Sequence, residues 1–406
     1  MPDHPSGRSM SPDYIVGIGQ VYRTVQDAVN QVILDRGIGK QRVVIGITPG
    51  VHTGLVFVPK LDFKLTILGL GRQPSETVLT ENVDAEMPGH EFVQRFAPFF
   101  ENAPSAALKF FRGTACKDKI STANASVMRI DSDDAELLNL TIQNTYNADR
   151  STPKKVKRNS LGQCATGQHQ AVALLISGGD RVLVKDVALK SLQDTLYLRS
   201  PCKKTTARTC FINCEIEGDV DFIFGQSTAW FGGCTIRTIG KRTATSWVVA
   251  PSTNIRTPFG FVFDHCSFIN DGSSEMSHSN VRLGRQWFEG VRATPYGVSP
   301  DPNYRCDLGQ TSSYDLSKGV ISLETLESVG KCAILNSTIA SHINSVSPWD
   351  VWGGSALEWS LRYRPVLYAA TDMCESLSKW LEKQGLQYDD IDPSELFLAE
   401  YRNHTV

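Results

Sequence analysis

The sequence predicts an all-β chain wound into a solenoid of stacked parallel strands, with helices closing its two ends. Three observations carry this expectation. A degenerate repeat runs through the chain, in which a polar or small residue precedes a short alternating strand: NLTI at 139, DVAL at 186, NCEI at 213, GCTI at 233, HCSF at 265 and NSTI at 336. The first residues stand 47, 27, 20, 32 and 71 apart, which suits coils of about twenty residues carrying insertions. A β-sandwich could also supply many short strands, but it favours tight Asn-Gly hairpins, and none falls between these segments. Finally, both ends of the chain change to helical periodicity.

In order, residues 24–36 (TVQDAVNQVILDR) place Val25, Val29, Val32 and Ile33 on one helical face. Thr24 is the expected N-cap, Asp27 supports it from three residues on, and Gly37 ends the run. From Arg42 the pattern turns to short β-rich segments, RVVIGI, GLVFVP and KLTILGLG. Residues 81–120 read as a long irregular insertion, and the basic run DRSTPKKVKRNSLG (149–162) as a solvated loop. After the repeats, DMCESLSKWLEKQ (372–384) and PSELFLAEYR (393–402) read as amphipathic helices, the second capped by Asp392. An open solenoid leaves strand edges unpaired at both ends, and residues 24–36 and 372–402 are expected to cover them. The reading is of a single domain over 1–406, with a flexible start (1–13) and a C-terminal helical cap (355–406).

With 41% hydrophobic and 21% charged residues, the chain can build a large core. A net charge of −2 gives no bias toward nucleic acid or an anionic membrane, and no apolar run is long enough for a transmembrane helix. Ten cysteines form no CxxC pair and no Cys/His cluster of zinc spacing, so no metal is expected. Cys214, Cys234 and Cys266 occupy one position of successive repeats. On adjacent coils such residues stack about 4.8 Å apart, within disulfide reach. A Cys214–Cys234 disulfide is expected, the alternative being a ladder of buried thiols.

The chemistry concentrates in GDVDFIFG (218–225), where Asp221 stands among Val220, Phe222, Ile223 and Phe224. A packed strand excludes an ionised carboxylate unless it opens on a cleft or has a partner. SLQDTLY (191–197) and RLGRQW (282–287) offer both roles, with Gln193, Asp194, Arg285 and Trp287, and Gln170 lies further upstream.

At GDVDFIFG, QDTLY and LGRQW the sequence resembles the pectin methylesterases, carbohydrate esterases built on a right-handed parallel β-helix. The likeness extends to QAVALLISGGDRVLVKDVAL (170–189) and APSTN (250–254), and it is weaker from 22 to 144. Two departures stand out. The family's GxYxE is GVHTG here, with His52 and Gly54 in place of Tyr and Glu, and its LGRPW has Gln286 in place of proline. The resemblance implies Asp221 as nucleophile, Asp194 as general acid and base, Gln170 and Gln193 as oxyanion donors, and Arg285 as the partner of Asp221. It implies methyl-esterified pectin (homogalacturonan) as substrate and no cofactor.

Val220, Phe224, Tyr197 and Trp287 are expected to line the substrate cleft, although ordinary packing accounts equally for Val220 and Phe224. Trp349 and Trp352 are weaker candidates for another wall. His52, His169, His265 and His342 have no mutual spacing that suggests a site. A β-helix lyase would want an acidic calcium cluster, and the one compact group, Asp131, Asp133 and Asp134, is explained more simply as a turn. A monomeric protein acting outside the cell, its signal peptide removed, completes the expectation.

Overall fold

Ladders of short parallel strands make up the molecule. The computed structural model describes residues 10–146, 169–202, 205–240, 245–254, 257–287, 328, 330–349 and 398–406. Within them the strands form three parallel sheets of ten, seven and nine members. Through the middle of the chain, successive coils visit all three in turn. One, for example, runs Val182–Lys185, Ala188–Lys190 and Leu196–Arg199 before rejoining the first sheet at Arg208–Ile212. This is a right-handed parallel β-helix. Among the described residues no helix is long and apolar enough to cross a membrane.

The repeat has a backbone cause. Asn139, Asp186, Asn213, Gly233, His265 and Asn336, which open its six segments, all adopt positive φ, between 48° and 63°. Each turns the chain from the ten-stranded to the nine-stranded sheet through one left-handed residue, a conformation that Asn, Asp and Gly tolerate best. The next residue points inward, so Leu140, Val187, Cys214, Cys234 and Cys266 are all buried. Phenylalanines stack in register beside them, Phe211 on Phe231 at 4.6 Å and Phe231 on Phe263 at 4.4 Å between ring centroids. Burying each such ring contributes roughly 2–3 kcal/mol.

The expected Cys214–Cys234 disulfide is not formed. Both are free, as is Cys266. In-register side chains of a parallel sheet point the same way, whereas a disulfide needs Cβ atoms that converge. The thiols donate instead to backbone carbonyls, Cys214 to Val184 O at 3.4 Å and Cys266 to Phe231 O at 3.3 Å. Hydrogen bonding to Cys214 and to Cys234 respectively, together with burial, pushes the Cys234 and Cys266 thiols upward. They stay protonated, which also disfavours disulfide exchange. Alkylation of unreduced protein after unfolding should modify all three; recovery of a linked 214–234 peptide would contradict the ladder.

Helix α1 (Val25–Leu34) covers the first coils, and the Thr24–Asp27 capping box is present. Its buried Gln26 meets the edge strand Val56–Val58, accepting from Phe57 N at 2.6 Å and donating to Phe57 O at 3.4 Å. Asp13, placed by the sequence in a flexible start, is tied to Val44 through both its backbone and its side chain. At the other end, the expected helix over 393–402 is contradicted. Leu398–Tyr401 is a strand parallel to Cys332–Leu335, with Leu398 in the core. A short apolar run is ambiguous by periodicity, and an available sheet edge decided it. Residues 372–384 and the basic run 149–162 lie outside the described residues.

The insertion over 81–120 is not irregular. It folds into α2 (Gly89–Phe100) and α3 (Ser105–Ala115). Phe92, Phe96 and Phe100, four residues apart, form the buried face of α2 despite Pro98 within it. This helix also accounts for the departure at Gly54. With φ at 121°, any side chain there would run into the Phe99 ring.

His342 is buried with Nε2 beside Thr238 Oγ1 at 3.3 Å, and desolvation pushes its imidazole down to about 4. An unfolded histidine titrates near about 6.5. The folded state therefore binds fewer protons between these values, and stability present above 6.5 is lost as pH falls toward 4. The expected loss is on the order of 2–3 kcal/mol. Urea midpoints at pH 7.5 and 4.5 check this, since His342→Gln should lose about 2 kcal/mol less than wild type on acidification.

Candidate active site

Five strands of the seven-stranded sheet run side by side: Val172–Ser177, Leu196–Arg199, Val220–Gly225, Ser246–Pro251 and Val281–Gly284. Gln170 precedes the first, Gln193 and Asp194 precede the second, Asp221 lies in the third, and Arg285 follows the fifth. Backbone pairing sets them at one level. Ala171 N donates to Gln193 O at 3.1 Å, Gln193 bridges to Val220, and Asp194 N donates to Val220 O at 3.1 Å. Arg285 N donates to Val249 O at 3.0 Å, holding the guanidinium arm above the same level. Residues 115 positions apart in sequence thus meet because the coils stack in register.

Asp221 is presented by a fault in its strand. The register shifts between Val220 and Ile223, and Asp221 has φ of 47°. A bulge of this kind adds a residue and re-aims side chains. Phe222 and Ile223 consequently both enter the core, while Asp221 turns toward Arg285. Asp194 also has positive φ, 66°. Left-handed backbone at a non-glycine residue costs of order 1–3 kcal/mol, and here both examples fall on the two carboxylates.

Arg285 meets Asp221 as a two-pronged fork. Nε donates to Oδ1 at 3.0 Å and Nη2 to Oδ2 at 2.6 Å. The side chains are 15% and 11% exposed, so the pair is shielded from water and salt. Asp194 and Gln193 are also buried. Gln286, the residue replacing the family's proline, donates to Gly330 O at 3.3 Å and anchors the loop that carries Arg285 and Trp287.

On the outer face, a row runs in register from Phe57 through Arg129, Leu175, Tyr197 and Phe224 to Ala250. Tyr197 stacks on Phe224 with 4.1 Å between centroids, and Trp287 stands edge-on to both at 6.3 and 5.6 Å. Of the four residues expected to line a substrate cleft, these three form one aromatic cluster. Val220 is buried in register with Gln193 and Trp247. Trp349 does not wall the site. It is buried in the core, its Nε1 donating to Glu400 at 3.0 Å; Trp352 lies outside the described residues. The acids considered for calcium engage cations, Asp131 with Arg129 at 2.8 Å, Asp133 with Lys60 at 2.5 Å and Asp134 with Arg181 at 2.8 Å.

Two features escaped the sequence reading. His169, next to Gln170, places Nδ1 2.6 Å from buried Asp84 and 3.2 Å from the Tyr146 hydroxyl. Ala85 N donates to Gln170 O at 2.9 Å, so the insertion pins this edge of the site. The other is Arg199, whose guanidinium lies 5.7 Å from the Tyr197 ring. The alternation in LYLR, with period two, places it on the face of Tyr197 and was the available signal.

The family model described as Pectinesterase matches residues 156–294. The chain is similar to Pectinesterase B of Dickeya dadantii (strain 3937), 30% identical over 323 residues, 75% of this chain and 70% of that one. It is equally similar, at 30% over 347 residues, to a pectinesterase of Sitophilus oryzae, covering 85% and 78% of the two chains. Among solved structures, that of rice weevil pectin methyl esterase superposes with a TM-score of 0.71 at 25% identity, over 99% of this chain and 91% of that one.

Proposed function

The chain belongs to the pectinesterase family, and from that premise we propose that it hydrolyses the methyl esters of galacturonate units in pectin with Asp221 as nucleophile and Asp194 as general acid and base. The observation that carries the reading is the shielded Arg285–Asp221 fork beside Asp194. The fork pairs the Asp221 carboxylate with a cation and fixes its direction.

A carboxylate oxygen of Asp221 forms a bond to the ester carbonyl carbon, and the carbonyl electrons move onto oxygen. The side-chain amides of Gln170 and Gln193 donate to that oxyanion. As it collapses, the bond to the methoxy oxygen breaks and Asp194 supplies the proton that makes the leaving group methanol. The enzyme is left acylated through a mixed anhydride. Water then attacks the acyl carbon, Asp194 takes its proton, and Asp221 departs as the carboxylate.

The Tyr197–Phe224–Trp287 patch supplies flat apolar faces for sugar rings and ester methyls. Action outside the cell is part of the proposal, and it rests on the polymeric substrate. The test is methanol release from highly methylated pectin, with no new reducing ends and no unsaturated products. Chain cleavage without methanol would replace this reading with a hydrolase or lyase acting on the backbone.

A further inference from the structure

Between the insertion and Gln170 lies a buried polar cluster that the reaction steps above do not use. The Asp84 carboxylate, 5% exposed, meets His169 Nδ1 at 2.6 Å, and the Tyr146 ring stacks on the imidazole at 5.6 Å between centroids. A carboxylate taken out of water is costly unless it is paired. Apolar side chains can often fill the same space with no loss of stability. What the pair supplies beyond filling is direction, since a charge-assisted hydrogen bond holds donor and acceptor in one geometry.

Its place in the chain says what is being directed. From the Gln170 carbonyl to the Val172 carbonyl, every backbone polar group is bonded to a neighbour. Gln170 O accepts from Ala85 N, Ala171 N donates to Gln193 O, and Ala171 O accepts from Ser191 Oγ. Val172 N donates to Ala125 O, and Val172 O accepts from Asn144 Nδ2. On the other side of Gln170 the hold is made by the His169 side chain on Asp84. Asp84 and Ala85 therefore grip Gln170 from both sides, one through the preceding residue and one through its own carbonyl. The gripping stretch is itself tied down, because Asn144 Nδ2 also donates to Val83 O at 2.9 Å. An oxyanion donor works best when it is in place before the charge develops, which requires a supporting shell of this kind.

We propose that the Asp84–His169 pair is the positioning element of Gln170, fixing the backbone from which its amide reaches the oxyanion. Both residues act through Gln170 and take no part in the bond changes. This role rests on the pectinesterase reading above.

The experiment is a double-mutant cycle with Gln170→Ala, read by methanol release and by crystal structures of the variants. His169→Ala and Asp84→Ala should each lower kcat about tenfold with KM within about twofold, the pattern of a contact realised in the transition state. Asp84→Asn keeps an acceptor for His169 and should stay within about threefold of wild type. In the Gln170→Ala background, where the amide is gone, either alanine should lower kcat by less than about twofold more. The crystal structures should show the Gln170 amide displaced by about 1 Å in the alanine variants. If alanine prevents folding, the double variant Asp84→Leu/His169→Phe replaces the pair by apolar side chains, and the same fall of about tenfold is expected. A loss that persists undiminished in the Gln170→Ala background, or a Gln170 amide that stays in place without the pair, would overturn the positioning role. Absence of methanol release by wild type would instead strike the esterase reading, and the crystal structures would then decide the positioning role alone.

Discussion

Replacing Asp221 by asparagine is expected to lower methanol release on the order of 10⁴-fold or more, with the fold intact. The amide has nearly the shape of the carboxylate but no charge with which to attack the ester carbon. It also changes what Arg285 faces: two acceptor oxygens become one oxygen and one NH₂ donor directed at a donor. Some stability is lost, since breaking a shielded ion pair leaves a cation without its counter-charge. The bulge at Val220–Ile223 and the inward Phe222 and Ile223 do not depend on that charge, so the circular dichroism spectrum should be retained. Methanol release by the purified variant near the wild-type rate would remove Asp221 from the nucleophilic role.

Asp194→Asn carries the second large effect, a fall of about 10²–10⁴-fold in turnover. Its target differs from that of Asp221. An asparagine can still donate a hydrogen bond to the departing oxygen, but it cannot hand over a proton or later accept one from water. Both half-reactions should therefore slow while the carboxylate–guanidinium fork remains. Two measurements read this out: the single-turnover acylation rate, and recovery with substrates carrying a better leaving group than methoxide. An acidic phenol ester needs no proton to depart, so the variant should lose much less on it during acylation. Equal losses on the methyl and phenyl esters would sink the acid role and leave Asp194 a structural residue.

Much of this was legible before any coordinates, and the reasons are local. The repeat was visible because one corner of each coil requires a left-handed residue, which restricts the choice at Asn139, Asp186, Asn213, Gly233, His265 and Asn336. Asp221 was visible because a carboxylate inside VDFIF contradicts packing unless something holds it. What stayed hidden depended on facing partners. Parallel Cα stacking permitted a Cys214–Cys234 bond by distance, whereas the common direction of the side chains forbids it. Helix α2 was obscured by prolines at 88, 98 and 104, although its phenylalanines kept helical spacing. The strand at Leu398–Tyr401 is a strand because Cys332–Leu335 offers it an edge, which no local pattern announces.

A stack of equivalent coils has no inherent length. Every terminal strand is a growth face on which a strand of another molecule could continue the ladder, and unprotected faces of this kind seed fibres. In the sheet that carries Asp194 and Asp221, the edge strand's outward backbone N–H and C=O belong to Phe57, and the Gln26 side chain occupies both. A primary amide has the same donor and acceptor as a peptide group but no chain beyond it. Gln26 therefore acts as a terminator. It satisfies the edge as another coil would and offers nothing for a further molecule to add to, so helix α1 keeps a one-dimensional lattice finite at the end where the chain begins.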